Sequence, residues 1–377
     1  MKKFNQTTFF LTDQFDNVRS GPGRFVNYLN EIKIIDFYIL TDDIKNELNN
    51  IIKININKSF KFLPFYYIYK AYIYNRYIEN VTKKITEYNI IFNTALLALF
   101  VKKNKKIKII TLINDPRHCN LFSEFFLMLN TYSIRKIISL FIGRFFEKII
   151  INKTDLLVVN SEYLKSCILK NYNTSKLQIR VLHKFVDLKV FKPKTKFNFP
   201  IRNFLFLKND YKRGNLETII NALTKVSYSK TVKLIVAGID KKNIEIVRGL
   251  FIKYKFEGTY EIYGHLNQEI ISGLYKESDC LLMPSKQESF GVVFLEAMAS
   301  NVLIITRKVG GIIEILNNED SAFFIKDNTS DQMVKILEKV NLDREIVLKK
   351  INNAHSRVLF FSKEKLISRF GDIINGL

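Results

Sequence analysis

Short apolar runs alternate along this chain with longer stretches whose apolar positions return at helical spacing. Ile107-Lys-Ile-Ile-Thr-Leu-Ile113 is one such run and Leu303-Ile-Ile-Thr306 another. The alternation is the mark of βαβ units, in which a strand covered on both faces reads as a nearly continuous apolar stretch. It predicts strands at about 7–13, 34–40, 88–93, 107–113 and 155–160. After Phe191-Lys-Pro193-Lys-Thr-Lys-Phe-Asn-Phe-Pro200 the pattern restarts, with strands near 203–208, 231–237, 259–264, 279–283, 302–306 and 322–325. Helices are expected at 214–226, 240–255, 267–276, 291–300 and 329–356, and a last one over 362–375.

Two successive runs of this pattern predict an α/β protein with two Rossmann-like domains. A chain of 377 residues that is 47% hydrophobic suits two cores better than one. The expected domains are residues 1–195, residues 196–360, and a closing helix over 361–377 that packs back on the first. Two such domains imply a cleft between them.

Charge adds a class of partner. The formal net charge is +23. Residues 1–190 hold 30 Lys+Arg against 15 Asp+Glu, hence +15, and the remainder 29 against 21, hence +8. Such an excess attracts phosphate groups of a nucleotide sugar, an anionic lipid or a nucleic acid; a lysine-rich solvated surface gives the same count. Two stretches of the first half combine this charge with aromatic residues, Lys58–Arg76 and Leu121–Lys148. In the second, Phe125, Leu129, Ile137, Leu140, Phe141 and Phe145 make an apolar face flanked by Arg135, Lys136, Arg144 and Lys148. That composition fits a helix lying on an anionic membrane surface, and equally an ordinary core helix with solvated charges. No run approaches the roughly 18 apolar residues of a spanning helix, and the N-terminus lacks a signal-peptide pattern. Cys119, Cys167 and Cys280 stand far apart without metal or disulfide spacing. The expected location is cytoplasmic, with peripheral association at the inner face of the membrane.

The segment Pro284-Ser-Lys-Gln-Glu288-Ser-Phe-Gly291-Val-Val-Phe-Leu-Glu296-Ala-Met-Ala299 carries the clearest chemistry. It leaves a strand and enters a helix, the place where α/β folds bind ligands. Glu288 in the loop and Glu296 in the helix are expected to face one ligand across the amides of Ser289, Phe290, Gly291 and Val292. Those amides suit a diphosphate, and the two carboxylates suit sugar and ribose hydroxyls, so the segment reads as a nucleotide-sugar site.

With its Glu288 and Glu296 spacing, this segment resembles the retaining glycosyltransferases of the GT-B fold, family 4. The likeness continues in Thr306-Arg-Lys-Val-Gly310-Gly311-Ile-Ile-Glu314, and in Gly264-His265-Leu followed by Leu274 to Asp279. Lys208 and Lys212-Arg213-Gly214 resemble the family's Arg and Lys-Gly element, with the two cation types exchanged. The resemblance implies that Lys208 and Arg213 hold the donor diphosphate, that Glu288 contacts the sugar and Glu296 the ribose, and that His265 lies near the donor. Ser20-Gly21-Pro22-Gly23 resembles the family's glycine-rich first loop, implying that Gly21 and Gly23 approach the donor. Asn114-Asp115 stands where the family carries His-Asp, which leaves Asp115 and His118 as catalytic candidates; a helix cap and a surface histidine are the plain alternatives.

The function so implied is hexosyl transfer from a nucleoside-diphosphate sugar to a hydroxyl of a lipid-linked or cell-surface polysaccharide acceptor. The implied reaction retains configuration and uses no cofactor and no metal. Two other classes remain open: a degenerate transferase serving as a partner subunit, motivated by Asn114 and by His183-Lys184-Phe185-Val186-Asp187, and a nucleic-acid-binding protein. The second leaves Glu288 and Glu296 unexplained.

Overall fold

The computed structural model describes residues 7–15, 21–32, 37–44, 50–57, 59, 65–115, 134–174, 177–317, 319–327 and 329–375. The chain divides into two units, residues 1–183 with 369–377, and residues 184–368.

The first unit runs β1 (Thr7–Leu11), α1 (Gly21–Ile32), β2 (Phe37–Thr41), β3 (Ile51–Lys53), α2 (Tyr66–Val81), β4 (Tyr88–Phe92), β5 (Ile107–Ile113), α3 (Ile134–Lys153), β6 (Leu156–Val159), α4 (Glu162–Asn171) and β7 (Gln178–Val181). Its strands form one sheet in the order β3-β2-β1-β4-β5-β6-β7, parallel at every pairing. The second unit runs β8 (Asn203–Leu207), α5 (Leu216–Leu223), β9 (Lys233–Ala237), α6 (Ile244–Lys253), β10 (Thr259–Ile262), α7 (Gln268–Glu277), β11 (Cys280–Met283), α8 (Val292–Ala299), β12 (Leu303–Arg307), α9 (Ile312–Leu316), β13 (Phe323–Ile325), α10 (Ser330–Val340), α11 (Arg344–Val358) and the first part of α12 (Lys363–Asn375). Its sheet order is β10-β9-β8-β11-β12-β13, again parallel. The strand order reverses once in each sheet, between β1 and β4 and between β8 and β11. These are two Rossmann-like domains, as the alternation of runs predicts.

Central strands are buried on both faces: every residue of β4 and of β11 lies in the core. Helices α5 and α10 each bury one stripe, Leu216, Ile219, Ile220 and Leu223 in the first, Met333, Leu337 and Val340 in the second.

The structure differs from the sequence expectation in four places. Strands β3 and β7 are additional; β3 has three residues and β7 alternates exposed and half-buried positions, so neither makes an apolar run. The single helix expected over 329–356 is two, because Asp343 accepts a hydrogen bond from the amide of Ile346 at 3.0 Å and caps a new start. Residues 184–195, expected in the first domain, and residues 361–368, expected in the closing helix, belong to the second unit, where Phe191 is buried with its ring edge-on to Tyr275 at 5.9 Å. On α3, Ile137 and Leu140 are buried, while the exposed apolar residues are Ile138, Ile142 and Phe145. Phe125 and Leu129, and the side chains of Arg135 and Lys136, lie outside the described residues. Among the described residues no helix is long and apolar enough to cross a membrane. Residues 369–375 of α12 count with the first unit, where Phe370 meets Phe25 at 5.3 Å.

Candidate functional site

Strands β8 and β11 are neighbours, with Cys280 opposite Phe204 and Leu281 opposite Leu205, and the strand order reverses between them. Their carboxyl ends therefore open the crevice in which doubly wound sheets bind ligands. Lys208 leaves β8 there, and Pro284 to Gly291 leave β11. The Lys208 ammonium donates to Glu288 Oε2 at 2.6 Å and to Ser285 Oγ at 3.3 Å. The two charged side chains are only 14% and 18% exposed. Screening by solvent is weak at such burial, so each charge holds the other in a defined position.

Arg213 is fastened to the same loop. Its guanidinium Nη2 donates to Gln287 Oε1 at 2.7 Å, its carbonyl accepts from the amide of Lys286 at 2.8 Å, and its own amide donates to Asp210 Oδ1 at 3.0 Å. The buried Nε of Arg213 makes no hydrogen bond. Gly214 permits this path, since a Cβ there would lie 2.4 Å from the Phe206 ring and 3.1 Å from Lys208 Cδ. Both cations named from the sequence thus come together on one loop.

Two further glycines shape that loop. Gly291 has φ +96°, and a Cβ on it would meet the Phe294 ring at 2.6 Å and Glu288 Cγ at 3.1 Å. Gly311 donates its amide to the Glu288 carbonyl at 3.2 Å, and a Cβ on it would stand 2.3 Å from the Ser289 carbonyl oxygen. Helix α8 starts at Val292 with no side chain capping it, so the positive end of its dipole faces the loop. Ser289 and Val292 are half-buried; Phe290 is buried, its ring 6.0 Å from that of Phe361.

The two acids meet different side chains. Glu296 is 2% exposed, and its Oε2 lies 3.3 Å from the Tyr275 hydroxyl, which also lies 2.8 Å from the Val293 carbonyl oxygen. Glu288 stands on the loop with Lys208 instead. His265, past β10, places Nε2 3.0 Å from Asp240 Oδ1 past β9, both exposed. Ser285, Gln287 and Asp240 were not singled out by the sequence reading, although the first two lie inside the Pro284–Glu288 motif.

In the first unit Gly21 and Gly23 form the first turn of α1 rather than a free loop; the Asn27 amide donates to the carbonyls of Gly23, at 3.2 Å, and Phe15. Asp115 is half-buried just past β5, beside Asn114, whose carbonyl accepts from Asn160 at 2.9 Å. His118 lies outside the described residues. The structure adds a buried cluster that the sequence reading missed. Lys70 of α2 pairs with Asp42 at 2.8 Å and Asp13 at 3.5 Å, just past β2 and β1. The Tyr74 hydroxyl lies 2.6 Å from Asp42 Oδ1, and Thr94 donates to Asp13 at 2.6 Å. Burial pushes the Tyr74 phenol well above its ordinary range, and Asp42 adds to the effect. Its signal is in the sequence: both strands end in Leu-Thr-Asp, at Leu11-Thr12-Asp13 and Leu40-Thr41-Asp42.

Residues 190–357 match the family of glycosyl transferases group 1. An uncharacterised glycosyltransferase of Methanocaldococcus jannaschii is 24% identical over 319 residues, 84% of this chain and 83% of that protein. Among solved structures, sucrose-phosphate synthase of Thermosynechococcus elongatus superposes with a TM-score of 0.81 at 15% identity, covering 99% of both chains. The Anabaena protein HepE in complex with UDP-glucose gives 0.72 at 13% identity, covering 99% of this chain and 100% of that one. The two parallel-sheet units have the GT-B fold. The family match lies within the second unit, and the likeness to solved structures extends over both units as a likeness of fold.

Proposed function

We propose that this chain transfers a hexosyl unit from a nucleoside-diphosphate sugar to a hydroxyl of a lipid-linked or cell-surface polysaccharide acceptor, with retention of configuration. The observation that carries the reading is the convergence of Lys208, Arg213 and Glu288 on one loop at the carboxyl ends of β8 and β11. The binding of UDP-glucose by HepE supports the donor class.

In this reading the donor diphosphate takes the place of the Glu288 carboxylate at Lys208. Glu288 is then released to accept hydrogen bonds from sugar hydroxyls. Lys208 and Arg213, with the amino end of α8, neutralise the charge that builds on the departing diphosphate. These cations supply what a metal ion supplies in other transferases, so the reaction is metal-independent. Glu296, held by Tyr275, receives the ribose, and Asp115 and His118 are the catalytic candidates for the acceptor side. The protein works in the cytoplasm, at the inner face of the membrane.

A thermal-shift panel of UDP, GDP, ADP and CMP tests the donor site, because a ligand of the native state raises the melting temperature by mass action. One nucleoside diphosphate is expected to raise it selectively, and Lys208→Met is expected to abolish the shift. No shift with any of the four would sink the reading.

A further inference from the structure

The opposite end of the first sheet holds a cavity. A cavity of about 330 Å³ opens where α2 ends and where β4 and β5 begin, away from the carboxyl ends of the strands. Its size is at the lower end of the range for small-ligand sites, and far above the space of one water. Its apolar floor includes Ile78, Ile90 and Ile107. The floor's hydroxyls satisfy each other: Thr82 donates to the Ile78 carbonyl at 2.7 Å, and Tyr88 lies 2.9 Å from Thr82 Oγ1.

Two features there lack a protein partner among the described residues. Asn75 lines the cavity and is 3% exposed. Its amide nitrogen donates to the carbonyls of Ala71 and Leu97 at 2.7 and 2.6 Å, yet its buried Oδ1 has no hydrogen-bond partner. A buried acceptor left in that state costs free energy until a donor reaches it. The rim is basic: Lys83, Lys102 and Lys106 stand against one carboxylate, Glu79. Lys102 pairs with Glu79 at 3.2 Å, while Lys83 and Lys106 make no ion pair among the described residues. The rim belongs to a lysine-dense loop, Lys102-Lys-Asn-Lys-Lys-Ile-Lys108.

An occupant must therefore present an anion to the rim and a hydrogen-bond donor to the floor. A plain oxyanion gives the first without the second, and a neutral sugar the reverse. We propose that this cavity binds a phosphate ester that carries free hydroxyls, its phosphoryl group between Lys83 and Lys106 and a hydroxyl donating to Asn75 Oδ1. Two sources share that chemistry, a soluble sugar phosphate and a glycerophospholipid headgroup. The proposal does not depend on the donor site in the second unit.

Calorimetric titration of the full chain with glucose 6-phosphate, and sedimentation with phosphatidylglycerol vesicles, separate the sources. Both are run on wild type, on Lys83→Gln with Lys106→Gln, and on Asn75→Leu. The double variant changes only exposed side chains, so it stays informative if Asn75→Leu fails to fold. Glucose 6-phosphate is expected to bind with Kd below about 1 mM and about tenfold more weakly in the double variant. Vesicle binding that Asn75→Leu weakens as the double variant does, with no response to the soluble ester, supports the site and assigns it to the lipid. The proposal is overturned if neither probe binds, if the double variant binds both as wild type does, or if sulfate and glucose each bind as tightly as the ester.

Discussion

Lys208 and Glu288 pair at 2.6 Å, so under the proposed function a diphosphate competes with a carboxylate for the same ammonium. Substituting either partner has opposite consequences for binding. Lys208→Met removes a charge-assisted contact, and nucleoside-diphosphate affinity is expected to fall about 10- to 100-fold. Glu288→Gln removes the competitor, so calorimetry is expected to show diphosphate affinity unchanged or up to about tenfold tighter, while kcat falls about 100-fold or more because the sugar loses its carboxylate. A parallel loss of binding and turnover in Glu288→Gln would contradict this division of roles. Gly291 sets the loop's path, and Gly291→Ala at φ +96° against the Phe294 ring is expected to cost about 1–3 kcal/mol, read by thermal unfolding. These residues were legible in the sequence because glycine, charge and spacing are written locally. What was not legible is which atoms meet: Gln287 as the partner of Arg213, and Tyr275 as the partner of Glu296, depend on side-chain packing across elements far apart in the chain.

At the scale of elements, strands buried on both faces announce themselves, and β5 runs over the range its apolar run predicts. The edge strand β7 and the short β3 carry no such pattern, and a cap rather than a gap in periodicity ends the helix run at Asn341. Another tie that spacing does not reveal joins residues 184–191 to α12. Asp187 pairs with Lys363 at 2.7 Å, and Val186 bridges to Ser362. Burial alone would raise the Asp187 pKa, but Lys363 and the amides of Lys189 and Val190 outweigh it and hold the carboxyl below the ordinary aspartate value of 3.8. A carboxyl depressed by folding stabilises the native state above its unfolded pKa, and that contribution is lost as pH falls through the folded pKa. Urea unfolding of wild type and Lys363→Met is therefore expected to show a gap at about pH 6 that closes below about pH 4, with Lys363→Arg retaining most of the wild-type profile. A gap that persists undiminished in acid would assign Lys363 a packing role instead.

For the molecule as a whole, the excess of positive charge in residues 1–190 acquires a direction from α3. The apolar face expected there is split, Ile137 and Leu140 turning into the core while Ile138 and Phe145 remain 53% and 63% exposed. Under the proposed peripheral role, Ile138 and Phe145 beside Lys148, on an element rich in cations, would enter the acyl boundary of an anionic bilayer while the charges meet the headgroups. The two contributions separate by salt. Electrostatic attraction, about 1 kcal/mol per cation near the surface, is screened within a Debye length, whereas burial of apolar area is not. Sedimentation with phosphatidylglycerol vesicles at low ionic strength is expected to fall steeply with added salt in wild type. Ile138→Ser with Phe145→Ser, which leaves the charge untouched, is expected to weaken it by about tenfold at every salt concentration. Unchanged sedimentation of that variant would mean that charge alone recruits the protein, and that the exposed face of α3 is covered by something other than lipid.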